Sequence, residues 1–383
     1  MNTELKSKIA QEFLENFNEE PILIFSPGRI NIIGEHTDYN DGFVFPAAVD
    51  KGIIAAISKS NSNESVAIAS DLNEKFEFSI DNVAPLKDGN WRNYILGVVG
   101  EIQKKGIEVG NFNVVFGGDI PNGSGMSSSA ALENSIVFGL NDLFDLGLTK
   151  EEMIYISQKA EHNYVGVNCG IMDQYASMFG QKNKALLLDC RTTIATPFEI
   201  DFEDYELLLI NTNVKHSLAD SAYNNRRAVC ENAASLLNMK ALRDASEEDL
   251  LTIKNKISEE DYQKALFVIQ ENNRAQEASK AMTANDIEKL GALVFGSHDG
   301  LQNQYQVSCD ELDFLVQLAK EYDNVIGARM MGGGFGGCTI NIVKKGKAAT
   351  FYKLVAPLYK EKFNKECSPY SVNISEGTHK IVK

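Results

Sequence analysis

Three stretches of the chain hold residues whose types and spacing suit the handling of a phosphate and a polar acceptor. The first is Gly118-Asp-Ile-Pro-Asn-Gly-Ser-Gly-Met-Ser-Ser-Ser-Ala-Ala-Leu-Glu133. Leu132, Ile136, Leu140, Leu143 and Phe144 recur at helical spacing after it, so a loop of glycines and serines opens a helix. A helix start presents unpaired N–H groups and the positive end of the macrodipole, and Gly123 and Gly125 keep side chains away from those donors. Ser127, Ser128 and Ser129 add hydroxyls that can cap the helix, bond phosphate oxygens or ligate Mg²⁺. A capped helix after a turn gives the same pattern, so the loop alone leaves both readings open. No Gly-x4-Gly-Lys-Ser/Thr occurs, which excludes a Walker A loop.

The second stretch is Ser26-Pro-Gly-Arg-Ile-Asn-Ile-Ile-Gly-Glu-His-Thr-Asp-Tyr-Asn-Asp-Gly42, where Glu35, His36 and Asp38 crowd into a polar loop closed by a turn signal. Carboxylates and an imidazole held together can grip vicinal hydroxyls, as a sugar site requires; a solvated loop has the same composition. In the third, Cys169-Gly-Ile-Met-Asp-Gln-Tyr-Ala-Ser-Met-Phe179, Asp173 stands among Ile171, Met172, Tyr175, Ala176 and Met178. A carboxylate there is expensive to bury without a charged partner, which marks it as a functional candidate. Glu161 ends the helical pattern before it. Residues 332–337 satisfy G-x-G-x-x-G, but Cys338, Ile340 and Ile342 alternate as a strand where a dinucleotide fingerprint needs a helix. Those glycines suit a hairpin loop that approaches a ligand or the first loop.

The elements that must position these groups follow from periodicity. Leu5, Ile9, Phe13 and Phe17 mark an amphipathic first helix, and 43–47, 53–58, 66–69 and 76–80 read as strands of an antiparallel sheet. Trp91, Tyr94, Ile95, Val98, Val99 and Ile102 form one face of a helix, and 149–163 is another. Strands at 185–189 and 205–211 bracket a domain boundary near residue 200. Helices dominate from there to Tyr322, one of them starting at Ser217, and the charged run 245–261 reads as a solvated helix and connector.

With 383 residues the chain is long enough for two packed domains. A net charge of −16 argues against nucleic acid as a partner, yet allows ATP where Mg²⁺ and backbone dipoles neutralise it. The six cysteines form no metal-ligand cluster and suit reduced thiols. There is no basic segment followed by an apolar core at the N-terminus and no run long enough to span a bilayer, so no signal peptide and a cytoplasmic location are expected.

Taken in this order, the glycine-bearing segments resemble the GHMP superfamily of small-molecule kinases. Pro27-Gly-Arg-Ile-Asn-Ile-Ile-Gly-Glu-His-Thr-Asp-Tyr-Asn40, Cys169-Gly-Ile-Met-Asp-Gln174 and Ser217-Leu-Ala-Asp-Ser-Ala-Tyr223 are similar to its galactokinase branch. The resemblance covers nearly the whole chain. It implies an α+β fold, with residues 1–200 forming an N-terminal domain like ribosomal protein S5 domain 2 and residues 201–383 a ferredoxin-like C-terminal domain. It also implies phosphoryl transfer from ATP to the anomeric hydroxyl of galactose. A monomer is expected, with a weak homo-oligomer as the alternative.

In that cast Gly123, Ser124, Gly125, Met126, Ser127, Ser128 and Ser129 hold the ATP phosphates, and Ser129 with Glu161 ligates Mg²⁺. Glu35, His36, Thr37, Asp38, Gly170 and Tyr223 contact the sugar. Asp173 faces the anomeric hydroxyl with Arg29 as its cationic partner, and Trp91, Tyr94 and Ser70 lie near adenine. Two alternatives stay open: a kinase for N-acetylgalactosamine or another sugar, and a galactose sensor without catalysis. The silent relatives lack a Ser-Ala pair that is complete here in Ser127-Ser-Ser-Ala-Ala131.

Overall fold

The computed structural model describes residues 2–200, 204–214 and 219–382. Its largest sheet runs His379–Lys380, Ile22–Asn31, Pro46–Lys59, Phe112–Gly118, Ser65–Ala69, Glu74–Phe78. All neighbours pair antiparallel except Ser65–Ala69 with Phe112–Gly118. That parallel pair requires a crossover, which the helix Trp91–Lys104 supplies, so the sheet is mixed rather than purely antiparallel.

Alternation along Pro46–Lys59 sorts the two faces. Ile53, Ala55 and Ile57 pack beneath the helices Trp91–Lys104, Ser128–Phe144, Lys150–Ala160 and Met172–Phe179, while Ile54 and Ala56 meet Ile9 and Phe13 of Thr3–Phe17. Both faces are covered, as the apolar strands require.

A second sheet, ordered Val325–Met330, Cys338–Lys344, Tyr205–Asn211, Ser368–Ser371, is antiparallel throughout. Leu208 and Ile210 pack against Phe351 and Val355 of Ala348–Phe363 on one face. On the other, Leu207, Leu209, Ile340 and Ile342 share a core with Ala275, Ala278 and Leu290, and with Ile30, Ile32 and Phe45 of the first half. Phe43–Val44, Lys184–Asp189 and Ile194–Glu199 form a small third sheet. The helix expected from Ser217 runs as Ala219–Leu236, residues 217 and 218 lying outside the described residues. The region expected to be a charged connector holds Glu247–Leu251, a 3₁₀ turn at Lys254–Lys256 and the start of the long helix Glu259–Thr283.

Arg329 ties the two halves at their seam. Fully buried on Val325–Met330, it donates from Nε to the Ile32 carbonyl at 2.9 Å, from Nη1 to Glu35 Oε2 at 2.6 Å, and from Nη2 to the Asn31 carbonyl. Removing one partner of a buried pair leaves the other charge uncompensated, a cost of about 3–5 kcal/mol. Arg329→Ala is therefore expected to lower the stability measured by urea unfolding by about 3–5 kcal/mol; a loss below about 1 kcal/mol would show that Glu35 finds another partner.

Candidate active site

Three glycine-bearing segments converge at the seam. Phe112–Gly118 delivers the chain into the serine-rich loop and Ser128–Phe144 carries it away, with Gly123 and Gly125 at φ of 65° and 74°. A Cβ on Gly125 would stand 3.0 Å from the Met331 carbonyl oxygen, so the loop at 332–337 packs directly on the first loop, as the sequence suggested. From the other side the Arg29 N–H donates to the Met126 carbonyl at 3.0 Å, and any side chain at Gly28 would meet that same oxygen.

Arg29 grips Asp173 with two bonds, Nε to Oδ1 at 2.7 Å and Nη2 to Oδ2 at 2.9 Å, while Nη1 donates to the Gly125 carbonyl. This fork geometry fixes the carboxylate's plane as well as its charge. Ser127 donates its hydroxyl to Asp173 Oδ2. Of the three uses read for the serine hydroxyls, capping is not the one that Ser127 serves: it sits at the N-cap with φ 58° and no capping bond, its hydroxyl turned to Asp173. The Asp173 side chain keeps 26% of its surface exposed, toward the cavity.

That cavity has a volume of about 620 Å³ and is lined by Arg29, Glu35, His36, Asp38, Tyr94, Glu161, Asp173, Tyr223, Gly333 and all of Gly123, Ser124, Gly125, Met126, Ser127, Ser128 and Ser129. Glu161 reaches it from a single π-helical turn, Glu161–Val165, that follows the helix Lys150–Ala160. Such turns add a residue and re-aim a side chain, and no sequence pattern announces them. A second cavity of about 480 Å³ continues past Ser128 and Ser129 and is walled by Trp91, Tyr94, Phe116 and Leu132.

Some sequence candidates stand back from these walls. The Thr37 hydroxyl lies 2.8 Å from the Gly34 carbonyl and 2.7 Å from that of Phe43, holding the loop's shape rather than facing the cavity. Ser70 gives its hydroxyl to Glu12 at 2.5 Å, although its neighbours Ala69 and Asp71 line the second cavity. Gly170 backs Asp38, whose Oδ2 would be 2.0 Å from a Cβ there, so only glycine lets that carboxyl take its place.

The Gly34–Asn40 loop is strained and clamped. Gly34 and His36 have φ of 93° and 65°, the latter costly for a residue with a Cβ. Glu271, fully buried on Glu259–Thr283, accepts from the Gly34 and Glu35 N–H groups at 2.9 and 3.3 Å and from Ser297 at 2.6 Å. Burial, then Asp173 and Glu35, pushes the Asp38 carboxyl up to about 7. Burial, then Arg226 and Arg329, pushes the His36 imidazole down to about 3. Glu133, one turn beyond Ser129 and fully buried, lies well above the carboxylate range through burial and then Glu161.

Sequence reasoning passed over Arg329, Glu271, Glu133 and the tyrosines Tyr39 and Tyr305. Arg329 alone carried a signal, a cation inside the apolar run Val325–Met330. Among the described residues no group of three or more His, Cys, Asp or Glu side chains is placed to hold a metal ion. Ser129 and Glu161 do face the same cavity, and two protein oxygens suit a Mg²⁺ that arrives with phosphates and water.

Residues 11–59 match the galactokinase galactose-binding signature, 93–181 the GHMP kinases N-terminal domain and 278–354 the GHMP kinases C-terminal domain. The galactokinase of Clostridium beijerinckii is 42% identical, with 98% of each chain covered. That of Thermosipho africanus is 40% identical over 93% of this chain and 99% of its own. The crystal structure of Lactococcus lactis galactokinase complexed with galactose superposes with a TM-score of 0.94 at 35% identity, covering 98% of this chain and 100% of that one. Methanococcus jannaschii mevalonate kinase, at 17% identity and TM-score 0.64 over 93% and 99%, shares the fold.

The raised pKa of Asp38 makes stability depend on pH. The folded state holds this proton more tightly than the unfolded chain, so the group's contribution is complete below the ordinary carboxylate value near 3.8 and is lost as pH rises through about 7. Asp38→Asn has no proton to lose. Without ligand, its melting temperature relative to wild type is expected to climb between about pH 4 and pH 7 and then level off; a difference independent of pH would show that Asp38 is not held this way.

Proposed function

The chain belongs to the galactokinase family of the GHMP kinases, and we propose that it transfers the γ-phosphoryl group of ATP to the anomeric hydroxyl of α-D-galactose, giving galactose 1-phosphate. The observation that carries this reading is the Asp173 carboxylate, clasped by Arg29 and Ser127 and facing the cavity that the serine-rich loop also lines. Phosphoryl transfer needs an acceptor in line, charge neutralised on the moving group and a place for the acceptor's proton.

The amides of Gly123–Ser129 and the helix start receive the phosphates. Ser129 and Glu161 would hold Mg²⁺, which when bound neutralises charge on the phosphate oxygens. Asp173 takes the proton of the anomeric hydroxyl, with Arg29 fixing its orientation and facing the transferred group. Glu35, His36, Asp38 and Tyr223 hold the sugar, with Gly170 behind Asp38. Trp91 and Tyr94, walls of the second cavity, pack near adenine.

Discrimination against glucose, which differs from galactose at one hydroxyl, falls to Asp38 and Tyr223. A buried polar group left unpaired by the wrong epimer costs about 1–3 kcal/mol. The division near residue 200 belongs to the same reading, with the strand His379–Lys380 crossing back to the first sheet. One chain supplies every residue named, so a monomer suffices, and the reading places the reaction in the cytoplasm, where ATP is available.

ATP consumption by the purified protein with galactose, glucose and N-acetylgalactosamine, together with the position of the phosphorylated carbon, tests the assignment. Galactose is expected to be the preferred acceptor, with phosphate on its first carbon. Asp173→Asn is expected to bind ATP as the wild type does and to lose turnover by about 10²–10⁴-fold; near-normal turnover refutes the role of Asp173. Tyr223→Phe is expected to narrow the preference for galactose over glucose by about fivefold or more, measured as the ratio of the two kcat/KM values, and an unchanged ratio would assign the discrimination elsewhere.

A further inference from the structure

The His36 ring lines the cavity but is otherwise buried; its Nδ1 lies 2.8 Å from the Tyr39 hydroxyl. That hydroxyl in turn lies 2.6 Å from the hydroxyl of Tyr305, fully buried and distant in sequence. The other nitrogen, Nε2, is buried and has no hydrogen-bond partner among the described residues. Since the imidazole is held far below its ordinary range, it is neutral at working pH and carries one proton. Where that proton sits decides whether the ring offers the ligand a donor or an acceptor.

Resting on the reading of His36 as a sugar contact, we propose that Tyr305 and Tyr39 are positioning residues that fix its tautomer. Tyr305 donates to the Tyr39 oxygen, Tyr39 donates to Nδ1, and the ring proton is held on Nε2, which donates to an oxygen of the hexose. Two observations favour this direction over the reverse. Side-chain donors at the hydroxyl-reading end are few, because Arg29 is committed to Asp173 and Gly125, Arg329 to Glu35 and backbone carbonyls, and Asp38 donates only in its protonated fraction, which leaves the Tyr223 hydroxyl beside His36. In the reverse arrangement the Tyr305 hydroxyl would have to donate to the Cys230 sulfur at 3.5 Å, a weak acceptor.

The test uses the whole protein labelled with ¹⁵N in its histidine rings, the His36 signals being assigned by their absence from His36→Gln. In the sugar-free wild type the Nε2–H tautomer is expected, and an Nδ1–H tautomer overturns the proposal without any variant having to fold. Tyr39→Phe deprives Nδ1 of its donor. It is expected to raise the KM for galactose about tenfold, with the KM for ATP unchanged and the His36 signals moved toward a mixture of tautomers. A galactose KM within about twofold of wild type in the folded variant overturns the proposal. His36→Gln separates the sugar contact from the tyrosine relay. An unchanged galactose KM there removes the sugar contact itself, whereas a raised KM together with an Nδ1–H ring in the wild type overturns the relay alone.

Discussion

Acidic groups gather around one cavity in a chain whose net charge is already −16, and the local structure is arranged to answer them. Two are met by guanidinium groups, Asp173 by Arg29 and Glu35 by Arg329. Asp38 in the lining and Glu133, buried one turn beyond Ser129, are met among the described residues by no cation at hydrogen-bonding distance and hold protons more tightly than a free carboxyl does, chiefly because they are buried. Desolvation of a carboxylate costs more than that of most groups, so each must be paired or neutralised. Both arginines also bond backbone carbonyls, Gly125 for one and Ile32 and Asn31 for the other, so charge pairing and loop placement are the same interaction.

The glycines allow what the charges require. Arg29 reaches Asp173 because Gly28 lets its strand run against the Met126 carbonyl, and Gly125 lets the serine-rich loop lie on Met331. Asp38 reaches the cavity because Gly170 leaves it room. A methyl group at any of these positions would push apart elements that electrostatics draws together. Packing and charge thus set one geometry from opposite directions.

Much of this was legible in the sequence, and the remainder was hidden for identifiable reasons. Asp173 stood out as a carboxylate in an apolar segment, and the same logic applied to Arg329 in Val325–Met330 would have found the second pair. The strand pattern after the glycines at 332–337 excludes a dinucleotide fingerprint and leaves a hairpin loop that meets a ligand or the first loop; the loop packs on Gly123 and Gly125. Ile194–Glu199 left no trace, since its residues are largely exposed and Pro197 interrupts it. His379–Lys380 is too short to show alternation. Glu271 and Tyr305 look like ordinary helical residues, and their significance lies in pairings across more than 200 positions of sequence.

Those long-range pairings share a direction. The loop that carries Glu35, His36 and Asp38 belongs to the N-terminal half, yet long-range side-chain bonds that hold it come from beyond residue 270. Glu271 takes the Gly34 N–H, Asn272 takes that of Phe43, Arg329 takes Glu35, and Tyr305 meets Tyr39. A loop with positive φ at Gly34, His36 and Asp41 is strained, and those bonds offset the strain together with the local ones that Thr37 makes. The serine-rich loop differs, since Arg29, Met126, Ser127 and Asp173 bond to one another within the first half. The phosphate end of the site is therefore hydrogen-bonded chiefly within the first half and packed on by Met331, Gly332 and Gly337 of the second, whereas its hydroxyl-reading end is hydrogen-bonded across both.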